Sequence, residues 1–112
     1  SRASRAASGL PPQSQRAIAQ LGKDLSIARR RRKLPQRLMA ERMLVSVQTL
    51  QRLEAGDATV ALAVLASALH VFGMTQRLAE LVAHDTDRAG MSEDLARLPK
   101  TTHAVSSDQL DF

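Results

Sequence analysis

The side chains best suited to recognising another molecule lie in residues 46–52, Ser-Val-Gln-Thr-Leu-Gln-Arg. Gln48 and Arg52 are spaced i, i+4, so on a helix they share one face. A glutamine amide offers a donor and an acceptor side by side, which match N6 and N7 of adenine. The paired N–H groups of arginine match O6 and N7 of guanine, and Val47 or the Thr49 methyl could meet a thymine methyl. Gln51 stands on the same outer side. Upstream, Arg29-Arg30-Arg31-Arg32-Lys33 is the densest run of charge. Arg31, Arg32 and Lys33 could contact phosphates, or could simply be solvated cations complementing a helix C-terminus. Other chemistries find little here. Cysteine is absent, which removes disulfides and thiolate metal sites. His70, His84 and His103 are far apart and lack ligand spacing, so they read as core or surface histidines. No His and acid are arranged around Ser46 by motif, and no Gly-rich phosphate loop is present. No catalytic residue, metal or cofactor is expected, and the chain does not read as an enzyme.

These side chains need helices to hold them. The chain has 112 residues, enough for one small domain with tails, and it is 44% hydrophobic but only 2% aromatic. An apolar content dominated by Ala, Leu and Val suits helices better than sheets. Residues 1–13 are rich in Ser, Ala, Arg, Gly and Pro and are expected to be a disordered basic leader. Arg2 and Arg5 could serve there as an arm on a polyanion. The chain opens on Ser1 and not on Met, which suggests a processed or engineered end. A first helix is expected from Ser14 to about Arg32, with Leu21, Leu25 and Ala28 as its apolar stripe. Pro35 opens a second helix to Met43, with Met39, Ala40 and Met43 inward. Leu44 and Val45 make a turn. Ser46 caps a third helix, Val47 to about Glu54, with Leu50 and Leu53 inward and Gly56 ending it. Thr59 is expected to cap a deeply buried fourth helix, lined by Val60, Val64, Leu65, Leu69 and Phe72. Thr75 opens a fifth, reaching about Ala83, with Leu78, Leu81 and Val82 inward. Asp85, Asp87 and Gly90 mark a loop, and residues 92–98 could form one helical turn or more, ended by Pro99. The expected organisation is a leader (1–13), a helical domain (14–83) and a C-terminal extension (84–112).

The segment from Pro35 to Gly56 resembles the lambda-repressor-like helix-turn-helix family, also called the Xre family. The matching residues are Gln36, Ala40, Val45, Ser46, Leu50, Glu54 and Gly56, and the likeness spans about residues 20–83. It implies an all-α, five-helix domain whose third helix enters the major groove, bringing Val47, Gln48, Thr49, Gln51 and Arg52 to the bases. It implies that Gln36 and Ser46 contact phosphate, where helix N-termini favour anions. It also implies a structural ion pair between Arg29 and Glu54. The remaining alternative is a plain helical hairpin. The family usually has Gly where Leu44 stands. A left-handed leucine costs roughly 1 kcal/mol or more relative to glycine, which leaves another turn geometry open.

Charge divides the chain. Up to Gly56 it carries 12 Lys or Arg against 3 Asp or Glu; from Asp57 on it carries 4 against 8. The basic part suits a polyanion, and the acidic part suits a protein partner or a solvated tail. Residues 59–73, Leu78-Ala-Glu-Leu81, Asp85, Asp87, Gly90 and Arg97-Leu-Pro-Lys100 resemble HipB-type antitoxins within the same family. That resemblance implies a homodimer on a palindromic operator of double-stranded DNA and a HipA-like Ser/Thr kinase toxin as partner. Helix five and the segment after it are the expected dimer surface, and Leu110 and Phe112 offer an apolar anchor for a partner pocket or a disordered end. A stand-alone Xre-family regulator and a protein-interaction module without specific DNA binding are the alternatives. No apolar run reaches the ~20 residues of a membrane span, so a soluble intracellular protein is expected, and the resemblance implies a bacterial, cytoplasmic, nucleoid-associated one.

Overall fold

The computed structural model describes residues 5–98. Arg2, His103, Leu110 and Phe112 lie outside the described residues. The chain divides into two compact units, Ser1–Leu78 and Ala79–Phe112. Among the described residues all regular structure is helical: α1 (Arg5–Ser8), α2 (Pro12–Arg31), α3 (Gln36–Met43), α4 (Val47–Glu54), α5 (Leu62–Val71), α6 (Thr75–Ala79) and α7 (Arg88–Ala96). The five expected helices correspond to α2–α6, and the sequence reading did not anticipate α1. No helix among the described residues is long and apolar enough to cross a membrane.

The first unit is built around α2–α5. Its core is Leu25, Leu34, Met39, Ala40, Met43, Leu50, Leu53, Ala68 and Phe72. The inward residues expected for α3 and α4 are therefore all buried. The face of α2 is rotated from the expected stripe. Gly22, Leu25 and Arg29 are its buried positions, Ala28 is half-buried, and Leu21 is 38% exposed. Apolarity alone selects Leu21, but closeness selects Gly22. A Cβ at Gly22 would stand 2.6 Å from the Glu54 carbonyl oxygen and 2.7 Å from that of Leu53. Glycine in a helix interior costs about 1 kcal/mol relative to Ala, and here it lets α2 touch the C-terminal end of α4. Helix α2 also starts two residues early, with Pro12 in its first turn, where a missing N–H costs nothing.

Four helices end alike. Lys33, Leu44, Gly56 and Gly73 have φ of 55°, 60°, 78° and 73°. Each reverses the chain so that two N–H groups return to the last turn. At the end of α3, Leu44 N–H donates to Glu41 O and Val45 N–H to Ala40 O, both at 3.1 Å. Leu44 thus keeps the left-handed geometry in which the family places glycine. Its side chain is 92% exposed, so the bonds to the last turn hold the conformation, with no help from side-chain packing.

The later helices depart further from expectation. Helix α5 starts at Leu62 behind Ala61, which makes no side-chain cap. Thr59 is not the cap, because its hydroxyl is bound by Asp57 and Arg52. Val60, Val64, Leu65 and Leu69 are only half-buried. Helix α6 stops at Ala79, and residues 80–82 turn, leaving Leu81 72% and Val82 83% exposed instead of inward. In the second unit Asp87 and Gly90 do not mark a loop. The Asp87 carboxylate accepts from Gly90 N–H at 3.0 Å and caps α7.

Replacing Leu44 by glycine removes left-handed strain and no packing. The gain, about 1–2 kcal/mol, exceeds the extra unfolded-state entropy of glycine, about 0.5–1 kcal/mol. Leu44→Gly should raise the urea midpoint, and a lowered midpoint would refute this account of the turn.

Candidate nucleic-acid interface

Helix α4 presents its polar side because Leu50 and Leu53 anchor the opposite one in the core. Ser46, extended at φ −74° and ψ 157°, starts the helix. Its hydroxyl accepts from Thr49 N–H at 3.1 Å and donates to the Thr49 hydroxyl at 3.0 Å. Ser46 and Thr49 are thereby tied to each other. Val47 is half-buried against the core. Gln48, Gln51 and Arg52 are exposed.

A polar relay fixes the helix from behind. Arg29 Nε donates to Glu54 Oε2 at 2.6 Å, and Arg29 Nη2 to Oε1 at 3.1 Å. The remaining terminal nitrogen, Nη1, donates to the Leu34 carbonyl at 2.9 Å. Glu54 Oε1 also accepts from Gln36 Nε2 at 3.1 Å, and Gln36 Oε1 accepts from Gln51 Nε2 at 3.1 Å. The structure thus brings together Arg29, Glu54, Gln36 and Gln51, four residues from three helices. The Arg29 and Glu54 side chains are only 10% and 8% exposed. Gln36 lies in the first turn of α3, which no side chain caps. The first-turn N–H groups are the usual anion-binding feature of a helix N-terminus.

The basic run divides by position. Arg31 and Lys33 are exposed. Arg32 is exposed too, but engaged: its guanidinium lies 4.7 Å from the centre of the Phe72 ring, and Nη1 donates to the Ala28 carbonyl at 3.0 Å. Phe72 is buried partly beneath that cation.

At the far end of α4, Arg52 meets a loop that sequence reading missed. Its Nε donates to Asp57 Oδ2 at 2.8 Å and its Nη2 to the Thr59 hydroxyl at 2.7 Å. The Thr59 and Arg52 hydrogen bonds hold the Asp57 carboxyl well below the usual carboxylate range, at about 2, so it is ionised at neutral pH. The Asp-x-Thr spacing after Gly56 was the available signal, since Asp in a turn accepts from the N–H two residues on. Thr59 N–H does so at 2.8 Å. Arg37 is exposed in the first turn of α3 beside Gln36. A depression of about 400 Å³ lies beside this loop, lined by residues that include Leu10, Ile18, Gly56, Asp57 and Thr59.

Two short helices joined by a left-handed turn, the second anchored on one face and polar on the other, form a helix-turn-helix. A family model described as a helix-turn-helix domain matches residues 20–82, more than half of the chain. The chain belongs to that family of DNA-binding domains. No curated protein and no solved structure gives a significant match.

Removing one member of a buried ion pair leaves the other charge without its partner, at a cost of about 3–5 kcal/mol. Glu54→Ala should therefore destabilise the fold by that order. Chemical denaturation would contradict the structural role of the pair if the loss stayed under about 1 kcal/mol.

Proposed function

We propose that this protein is an Xre-type transcriptional repressor that reads a palindromic operator as a homodimer, with α4 in the major groove. The observation that carries the reading is the exposed pair Gln48 and Arg52, on the polar side of a helix whose other side is locked into the core. Gln48 supplies adenine recognition and Arg52 guanine recognition. Val47 and Thr49, though half-buried, add apolar contact at the start of the helix. Gln51 contributes through its bond to Gln36. Gln36, Ser46, Arg31 and Lys33 contact the phosphates, with Arg32 contributing charge from its place over Phe72. A single helix-turn-helix covers little DNA, and two copies would span half-sites ~34 Å apart. The exposed Leu81 and Val82 favour residues 75–83 and the segment after them as the surface between copies.

Beyond DNA, the resemblance of residues 59–100 to HipB-type antitoxins supports a second role, neutralising a HipA-like Ser/Thr kinase encoded in the same operon. Leu110 and Phe112 then act as an apolar anchor in a kinase pocket.

Titration of fluorescent duplexes tests the first role. Gln48→Ala should cut the preference for the operator over a scrambled duplex by about tenfold. Arg31→Ala should weaken both duplexes alike and flatten the salt dependence. An unchanged preference in Gln48→Ala would rule out base reading by this face. For the second role, the kinase should co-purify with the full chain and less well with one lacking residues 104–112, and equal recovery would exclude the anchor.

A further inference from the structure

Arg29 and Arg52 are both held by an acid along the same edge of the guanidinium, but they differ in what is left over. In each, Nε and Nη2 form the edge that is used. Arg29 also gives Nη1 to the Leu34 carbonyl, inside the protein. Arg52 gives Nε to Asp57 Oδ2 at 2.8 Å and Nη2 to Thr59 Oγ1 at 2.7 Å. The ring closes on itself, because the Thr59 hydroxyl donates to Asp57 Oδ1 at 2.6 Å, and Thr59 N–H donates to the same oxygen at 2.8 Å. The loop is in turn bound to α4, through Asp57 N–H on the Arg52 carbonyl at 3.0 Å. An arginine has five N–H groups in a planar fork. Two are spent here. Among the described residues no acceptor takes the adjoining end edge, where Nη1 and Nη2 each keep an N–H pointing the same way. That edge has the spacing of guanine O6 and N7, and the side chain stays 49% exposed.

We propose that Asp57 and Thr59 are positioning residues for base recognition. They clamp Arg52 by its side edge so that its end edge is presented, already ordered, to a guanine. The inference rests on the reading of α4 as the base-contacting helix. An unclamped arginine would lose its rotamer freedom on binding, and this one has lost it in the fold. A clamped fork also meets a phosphate less readily than a free side chain can. Asp57 adds a negative charge beside the polyanion, which opposes binding to any sequence. The clamp therefore exchanges general affinity for selectivity, and that opposition gives it a signature that a merely structural role lacks.

The test selects duplexes from a randomised pool with the wild-type protein, then measures competition between the enriched duplex and single-base variants of it. Wild type should enrich a guanine whose replacement by adenine weakens binding about tenfold or more, and Arg52→Ala should abolish that difference. Asp57→Asn should shrink the guanine preference several-fold while binding scrambled duplex more tightly, with other positions of the site unaffected. Thr59→Val should shrink it about threefold without the gain in scrambled binding, since no charge is lost. Thermal melts of each variant accompany the titrations. The proposal is overturned if Asp57→Asn keeps the wild-type guanine ratio, or if specific and scrambled binding fall together with the melting temperature. It is overturned as well if the guanine preference survives Arg52→Ala, in which case α4 can still be the reading helix through Gln48. Failure of wild type to enrich any sequence overturns the DNA-reading assignment itself, and the clamp with it.

Discussion

The buried bond between Arg29 and Glu54 is the interaction on which the rest of the first unit depends. Two charges that are nine-tenths withdrawn from water cost several kcal/mol each unless both are fully satisfied. Here they are. Glu54 accepts from Arg29 twice and from Gln36 once, and Arg29 has the Leu34 carbonyl for its remaining terminal nitrogen. Those partners come from the end of α2, the link before α3, the start of α3 and the end of α4. Directional bonds converging on one carboxylate fix the angle between the two helices of the motif more tightly than apolar contact can, because apolar contact tolerates sliding.

The same corner is also where backbones come closest. Gly22 admits the carbonyls of Leu53 and Glu54, and Gly56 sits where a Cβ would be 2.7 Å from Ala19 Cα. The ion pair lies about two turns along α2 from Gly22. Close approach and charge pairing thus reinforce each other, and both require α4 to end at Glu54. Gly56 supplies that end in a left-handed conformation at φ 78°. The same stop before Leu44, without a glycine, shows that the hydrogen bonds to the preceding turn outweigh a strain of about 1–2 kcal/mol.

With the inner face of α4 held in this way, its outer face becomes a matter of which polar groups are already in use. Ser46 and Thr49 bind each other, Gln51 binds Gln36, and Arg52 binds the 57–59 loop. Gln48 stands exposed. Arginines of identical chemistry end in three situations: Arg29 is buried with a partner on every nitrogen, Arg32 covers Phe72, and Arg52 is half-exposed with two of its three nitrogens engaged. Residue type determines what each could do, and neighbours determine what remains available.

Much of this was legible in the chain. The all-helical class follows from Ala, Leu and Val content, and the bounds of α3 and α4 from Pro35, Ser46 and Gly56, because cap and breaker chemistry acts over a few residues. The inward set Met39, Ala40, Met43, Leu50 and Leu53 follows from helical period. The meeting of Arg29 with Glu54 came through family likeness, since nothing local in residue 29 points to residue 54, and the bond from Gln36 to Glu54 was not foreseen. Tertiary structure alone decided the rest. It moved the buried line of α2 from Leu21 to Gly22, because the partner surface is a backbone and rewards the smallest side chain. It took Thr59 from helix capping into a clamp with Asp57 and Arg52, because a charged partner one helix back outcompetes a cap. It ended α6 early and left Leu81 and Val82 in solvent, since periodicity marks which residues could be buried and only a facing surface can bury them.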